Sequence, residues 1–190
     1  MIINQKCKVI GNTAIVAFAR MNPPTLGHKK LVNKITSLKG DYYLFLSHSH
    51  HPKTDPLEFD NKLEIVQLLF PDVIVGNKHI KNIIQVLQRI ESLGYQNIVY
   101  VAGSDRIDEF TKLINKYNGK EYHFDNITVV SAGDRDPDAA GVNGISASKL
   151  REAAFAGNFE LFKQGISNKK YAIQIYNAVR NGMEQTKEIS

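Results

Sequence analysis

A single cysteine, Cys7, stands in a chain of 190 residues, so no disulfide can close within it and a reducing compartment suits it. No apolar run approaches the ~18 residues that a membrane span requires, and no stretch reads as a secretory signal. These absences predict a cytoplasmic protein, whether of a cell or made by a virus inside one. The lysines form no block, and no basic stripe is interleaved with aromatics, which argues against a nucleic-acid track. The net charge of +5 and pI near 9.2 therefore suit a small anionic ligand or plain solubility. Internal repeats, low-complexity tracts and linkers are missing too. What is present is ordinary: 43% hydrophobic and 23% charged residues are the proportions of a globular chain able to bury a real core. One domain over 1–190 is expected, with its core at about 13–165 and a terminal helix at about 168–184.

Strand and helix patterns alternate along this domain. Ala14 to Phe18, Tyr42 to Leu46, Val73 to Val75, Asn97 to Ala102 and Ile127 to Val130 are short apolar runs of strand length. Met1 to Cys7 is ambiguous and could form an edge strand. Between the strands, Leu31, Val32, Ile35 and Leu38 repeat at helical spacing, as do Phe59, Leu63, Val66 and Phe70. Asp55-Pro56-Leu57-Glu58 reads as the start of that second helix, with Asp55 as cap and Glu58 closing a capping box. Further stripes follow at Ile83, Ile84, Leu87 and Ile90, then at Ile107, Phe110, Ile114 and Tyr117. Three helices finish the chain, at about Ser148 to Ala156, Phe159 to Phe162 and Lys169 to Met183. Continuous apolar strands joined by helices predict an α/β fold: a Rossmann-like, doubly wound parallel sheet with helices on both faces and a C-terminal helical extension. Ligands of such sheets bind outside the carboxyl ends of the strands, where strand order reverses.

The stretch from Ala14 to His28 belongs at such an end. Pro23 and Pro24 stop the first strand, Thr25 can cap the helix that follows, and Gly27 lets a ligand come close to the backbone. Backbone N–H groups and the positive end of the helix dipole then face an anion, with His28 in the first turn beside them. A second constellation, Ile145-Ser146-Ala147-Ser148-Lys149-Leu150-Arg151, packs two hydroxyls and a guanidinium into another helix start. Hydroxyls and N–H groups there can hold phosphate oxygens, and Arg151 can reach the same anion one turn on.

Thr25-Leu26-Gly27-His28 resembles the (T/H)xGH signature of the nucleotidyltransferase superfamily, and Ile145, Ser146, Ser148 and Arg151 resemble its ISxSxxR signature. Arg20 with Asn22-Pro23-Pro24 is similar to the opening of archaeal-type nicotinamide-nucleotide adenylyltransferases. Asp55-Pro56-Leu57 with Lys62 is similar to their NPFxxxER segment, lysine replacing arginine. Gly103-Ser104-Asp105-Arg106 and the loop into Ser146 resemble cytidylyltransferase-like proteins encoded by tailed phages, which would place this chain in a host cytoplasm.

The resemblance implies transfer of a nucleotidyl group from a nucleoside triphosphate, ATP above CTP, to a phosphorylated small molecule, with release of pyrophosphate. Nicotinamide mononucleotide is the expected acceptor; a polyol phosphate, a sugar phosphate or phosphopantetheine are the alternatives. A catalytically weak nucleotide-binding or virion-associated protein of the same fold is the reading from another class. His28, Thr25 and Arg151 are the implied catalytic residues. Phe18, Ala19, Arg20, Asn22, Pro24, Gly27, Ile145, Ser146 and Ser148 would bind nucleotide, and Lys53, Gly103, Ser104 and Asp105 the acceptor. Mg²⁺ would travel with the nucleotide rather than in a protein cage. A homo-oligomer is compatible with the sequence.

Two patterns point elsewhere. Ser47-His48-Ser49-His50-His51 puts two imidazoles on one face if extended, but no cysteine or HxxxH partner supports a metal. Asp134, Asp136 and Asp138 open like a calcium loop, yet Ala139 stands where glycine is needed and Ile145 where the bidentate glutamate belongs.

Overall fold

Five strands pair into one parallel sheet, and the two-residue period of each decides which face its side chains meet. The computed structural model describes residues 12–76, 78–133 and 145–184. In chain order the strands are β1 (Thr13–Ala19), β2 (Asp41–Leu46), β3 (Ile74–Val75), β4 (Asn97–Ala102) and β5 (Asn126–Ser131). In space they run β3-β2-β1-β4-β5. The order reverses between β1 and β4, so the crevice at their carboxyl ends is the switch point of a doubly wound sheet.

Register ties the faces together. Ala14 lies beside Ile98 and Val16 beside Tyr100, and these side chains share one core with Tyr43, Phe45 and Ala102. Helices α3 (Ile83–Ser92) and α4 (Ile107–Tyr117) cover that face through Val86, Leu87, Ile90, Phe110 and Ile114. Ile15, Ala17, Leu44, Leu46 and Val101 point the other way, against α1 (Leu26–Thr36) and α2 (Phe59–Leu69). Each of these large side chains, fully buried, contributes about 1.5–3 kcal/mol, which is why the apolar runs lie at the centre of the sheet.

A third layer forms outside α2. Helices α5 (Ala147–Phe155), α6 (Phe159–Gln164) and α7 (Ala172–Glu184, preceded by a 3₁₀ turn at Lys169–Tyr171) bury Leu150, Phe162, Ile175 and Val179 with Leu57 and Ile65. Helix α7 comes so close that a Cβ on Gly182 would overlap the Pro56 carbonyl. Helix α2 is thus enclosed on two sides. Among the described residues no helix is long and apolar enough to cross a membrane.

One expectation is corrected. Asp55 does not cap α2 and Glu58 closes no capping box: the helix starts at Phe59 with Glu58 at the cap position and no side-chain cap bond. Asp55 instead accepts hydrogen bonds from Ser49 and Thr54, both at 3.1 Å, and pairs with Arg20. A buried carboxylate gains more from two hydroxyls and a cation than from one backbone N–H group. The first eleven residues and 134–144, including Asp134, Asp136 and Asp138, lie outside the described residues.

Candidate active site

At the end of β1 the backbone leaves the sheet through Met21, buried and at φ +47°, and a cis Asn22–Pro23 bond. A left-handed φ costs a residue with a side chain about 1–2 kcal/mol, and such positions concentrate where geometry serves function. Asn22 is clamped by its amide: Nδ2 donates to the Leu57 carbonyl and Oδ1 accepts from the Leu57 N–H, both at 2.9 Å. The turn that follows is therefore held against the segment before α2.

Thr25 then sets the tautomer of His28. The Thr25 N–H donates to His28 Nδ1 at 3.0 Å. A backbone N–H can only donate, so Nδ1 carries no proton and the neutral ring has its hydrogen on Nε2. The same nitrogen lies 3.0 Å from Thr25 Oγ1, within a reciprocal capping box at the start of α1. Thr25 is buried, His28 half-buried and Gly27 exposed. Leu26 N–H donates to the Gly165 carbonyl at 3.0 Å, tying the turn to the helical extension.

The second motif reaches the first. Ser146 caps α5, accepting from Lys149 N–H at 3.2 Å, and its hydroxyl lies 2.9 Å from that of Ser148. Both serines are exposed, and Ile145 is half-buried against the α5–α7 core. One turn into α5, Arg151 Nη1 donates to the Asn22 carbonyl at 2.8 Å, across 129 residues of sequence.

Around this junction the charge is uneven. Arg20 Nε lies 3.5 Å from Asp55 Oδ1, and Asp55 is only 5% exposed. Burial holds the Arg151 guanidinium below its ordinary value; the charge of Asp55 opposes that shift and Arg20 adds to it. Lys62 is fully buried, its ammonium donating to the carbonyls of Ser47 at 2.5 Å and Ser49 at 3.5 Å. Burial pushes Lys62 down to about 8, opposed by Asp55 and assisted by Arg20. Three cations thus feel the charge of Asp55, and Glu152 acts on Arg151 besides. That surplus favours an anion.

The sequence matched Lys62 to a family segment but did not mark it as a site residue or as buried. Its signal was a lone charge inside the stripe Phe59, Lys62, Val66, Leu69. The remaining candidates spread around the crevice. Phe18 and Ala19 are half-buried at the end of β1, Pro24 is buried, and Lys53 is exposed on the loop after β2. Gly103 and Ser104 are half-buried and Asp105 exposed at the end of β4, beside β1. Arg106 is paired with Glu109 and lies 4.8 Å over the Phe110 ring. The histidines go separate ways: His48 stacks on Phe59 at 4.1 Å, and His51 Nδ1 accepts from the Lys53 N–H. Among the described residues no group of three His, Cys, Asp or Glu converges.

Sheet order and the crevice at its switch point make the fold Rossmann-like, a parallel sheet flanked by helices. In particular, the structure is similar to nicotinate-nucleotide and nicotinamide-nucleotide adenylyltransferases. A protein of Vibrio parahaemolyticus assigned as a nicotinate-nucleotide adenylyltransferase superposes with a TM-score of 0.59, at 17% identity, over 88% of this chain and 98% of that one. The nicotinic acid mononucleotide adenylyltransferase of Plasmodium falciparum, in complex with APC, gives a TM-score of 0.60 at 16% identity, over 88% of this chain and 96% of that one. A bifunctional NMN adenylyltransferase/ADP-ribose pyrophosphatase of Francisella tularensis gives 0.59 at 12% identity, over 93% of this chain and 54% of that one. No family model and no curated sequence matches the chain.

Proposed function

We propose that the protein is a nucleotidyltransferase that moves an adenylyl group from ATP to a phosphorylated small molecule, with nicotinamide mononucleotide as the acceptor and NAD and pyrophosphate as products. The observation that carries this reading is the Arg151–Asn22 hydrogen bond, which brings the Ser146 turn and the Thr25–His28 turn to one crevice. Two helix starts and the guanidinium groups of Arg20 and Arg151 then lie beside a site where a triphosphate would supply negative charge, with Lys62 buried behind them. The adenylyltransferase fold of the similar structures supports the same choice.

In this reading an acceptor phosphate oxygen attacks the α-phosphorus in line with the departing pyrophosphate. One P–O bond forms and one breaks, and the leaving group takes the electron pair. An ionised phosphate needs no general base, so positioning and charge stabilisation carry the catalysis. The Nε2–H of His28, set by Thr25, donates to the α-phosphate as charge develops. Arg151, Ser146, Ser148 and the first turn of α5 hold the β- and γ-phosphates, and Arg20 adds a cation. Phe18, Ala19, Asn22, Pro24, Gly27 and Ile145 shape the nucleotide side of the crevice. Lys53, Gly103, Ser104 and Asp105 meet the acceptor. Asp55 is engaged by two hydroxyls and Arg20, so the crevice offers phosphates cations rather than carboxylate ligands; Mg²⁺ bound to phosphate oxygens and water would neutralise the remaining charge.

The test is pyrophosphate release from ATP and CTP with Mg²⁺ across a panel of phosphorylated metabolites, with NAD detected separately. Formation of NAD from ATP and nicotinamide mononucleotide is expected. Pyrophosphate with another acceptor alone would discard this substrate, and binding without turnover would make the protein a nucleotide-binding module.

A further inference from the structure

The loop after β2 is closed on itself by hydrogen bonds. Ser47 N–H donates to the Ala19 carbonyl at 2.9 Å, extending the β1–β2 ladder by one rung. His51 and Asp55 exchange backbone hydrogen bonds of 3.0 and 2.7 Å, and the Ser47 and Ser49 hydroxyls lie 2.9 Å apart. Ser49 in turn donates to Asp55. Beneath these groups sits the Lys62 ammonium, with no exposed surface. We propose that Lys62 is a positioning residue: by donating to the Ser47 and Ser49 carbonyls and balancing Asp55, it clamps the Ser47–Asp55 loop so that Asp55 holds Arg20, and the loop holds Lys53, at the crevice.

A buried ammonium is otherwise a poor choice for this place. A methionine or leucine would fill the volume without the desolvation cost, so the charge needs a reason. The partners supply one. Two carbonyls at the end of β2 have run out of ladder, and Asp55 is nearly as buried as the lysine. The charged groups that face Lys62 are Asp55 and Arg20, with His48 on the loop above it. Asp60 acts on His48, and Arg151 shares Asp55 and Arg20.

This assignment rests on the transferase reading only for its effect on turnover. It also makes two quantities move in opposite directions. Burial has lowered Lys62 to about 8 from 10.5, so between those values the unfolded chain binds the proton and the folded chain does not. The contribution of Lys62 to stability therefore rises with pH across that window. The clamp loses its charge over the same range.

The experiment compares wild type with Lys62→Arg and Lys62→Met. Hydrogen exchange, corrected for intrinsic rates, is read at the amides of Ser47 to Asp55 and at β1 and β4. Lys62→Met is expected to lower protection in the loop by roughly tenfold or more, the size of one lost charged hydrogen bond, with the strands unchanged. In wild type kcat/KM should fall above about pH 8 while thermal stability does not, and Lys62→Arg should remove that alkaline limb. Ser49→Ala, which leaves the core intact, should loosen the loop without altering the pH profile. Equal loop protection in wild type and Lys62→Met, or a loss spread evenly over the strands, would overturn the proposal. If no nucleotide turns over, the transferase reading fails, and the exchange comparison decides the role of Lys62 alone.

Discussion

The two ends of the sheet solve the problem of buried polarity differently. At the amino ends of the strands, polar groups are matched to one another. Tyr95 donates to Asp41 at 2.7 Å and lies 2.9 Å from the Tyr43 hydroxyl, so the phenols and the carboxylate form one chain. Asn12 joins Gln96 and Asn97, and Asn97 joins Asn126, linking β1, β4 and β5. At the carboxyl ends Arg20, Lys62 and Arg151 gather about Asp55, with Glu152 also acting on Arg151, beside the starts of α1 and α5. A matched network locks strands together. An unmatched set of cations on rigid elements leaves binding energy for an anion.

That contrast can be broken from either end. The largest effect is expected from His28→Ala, which should keep the fold and nucleotide affinity yet lower single-turnover rates by roughly 10²–10³, the usual loss for one transition-state donor. Rates equal to wild type would remove His28 from the chemistry. Arg151→Ala should come next. Triphosphate binding should weaken by about 1.5–3 kcal/mol, the range for hydrogen bonds to charged groups, and monophosphate binding much less. Calorimetric titration with both ligands checks this, and equal losses would assign Arg151 to the α-phosphate or to the fold.

At the opposite end, Tyr95→Phe should reverse the pattern. It deletes the hydroxyl shared by Asp41 and Tyr43, so denaturant unfolding should show a loss of about 1–2 kcal/mol with turnover unchanged. A drop in activity at equal stability would erase the distinction between the two ends.

The smallest expected effect is the pH response of His48. Burial, with Lys62 and Lys81, holds its imidazole below 6.5, against a backbone hydrogen bond to Ile80 and the charge of Asp60. The unfolded chain therefore takes the proton first as pH falls, and stability should decline as pH drops through about 6.5. Melting curves from neutral to about pH 5 should show a shallower decline for His48→Gln than for wild type.

Much of this molecule follows from local chemistry, which a sequence carries openly. The apolar runs gave the central strands β1, β2 and β4 because a β-strand buried on both faces must be apolar throughout, and the observed strands start and stop within a residue or two of those runs. Thr25 and Ser146 mark helix starts because a hydroxyl one residue before a helix satisfies an orphan N–H group wherever the helix lies. Asp55 misled for the same reason. Its position before Pro56 is good capping chemistry, but its oxygens are turned to Ser49, Thr54 and Arg20 instead, and the distant partner Arg20 reaches it only through the fold. Lys62 stood out by its place after the Asp55-Pro56-Leu57 segment, but its burial did not. A lysine on a helix ordinarily faces water, and its burial here follows from packing on both sides of α2, with the sheet on one and α5 to α7 on the other. The meeting of Arg151 with Asn22 is likewise a product of that third layer. The sequence determined which residues could bind phosphate, because that chemistry is local; the tertiary structure decided which of them share one electrostatic environment, because charge acts through space and not along the chain.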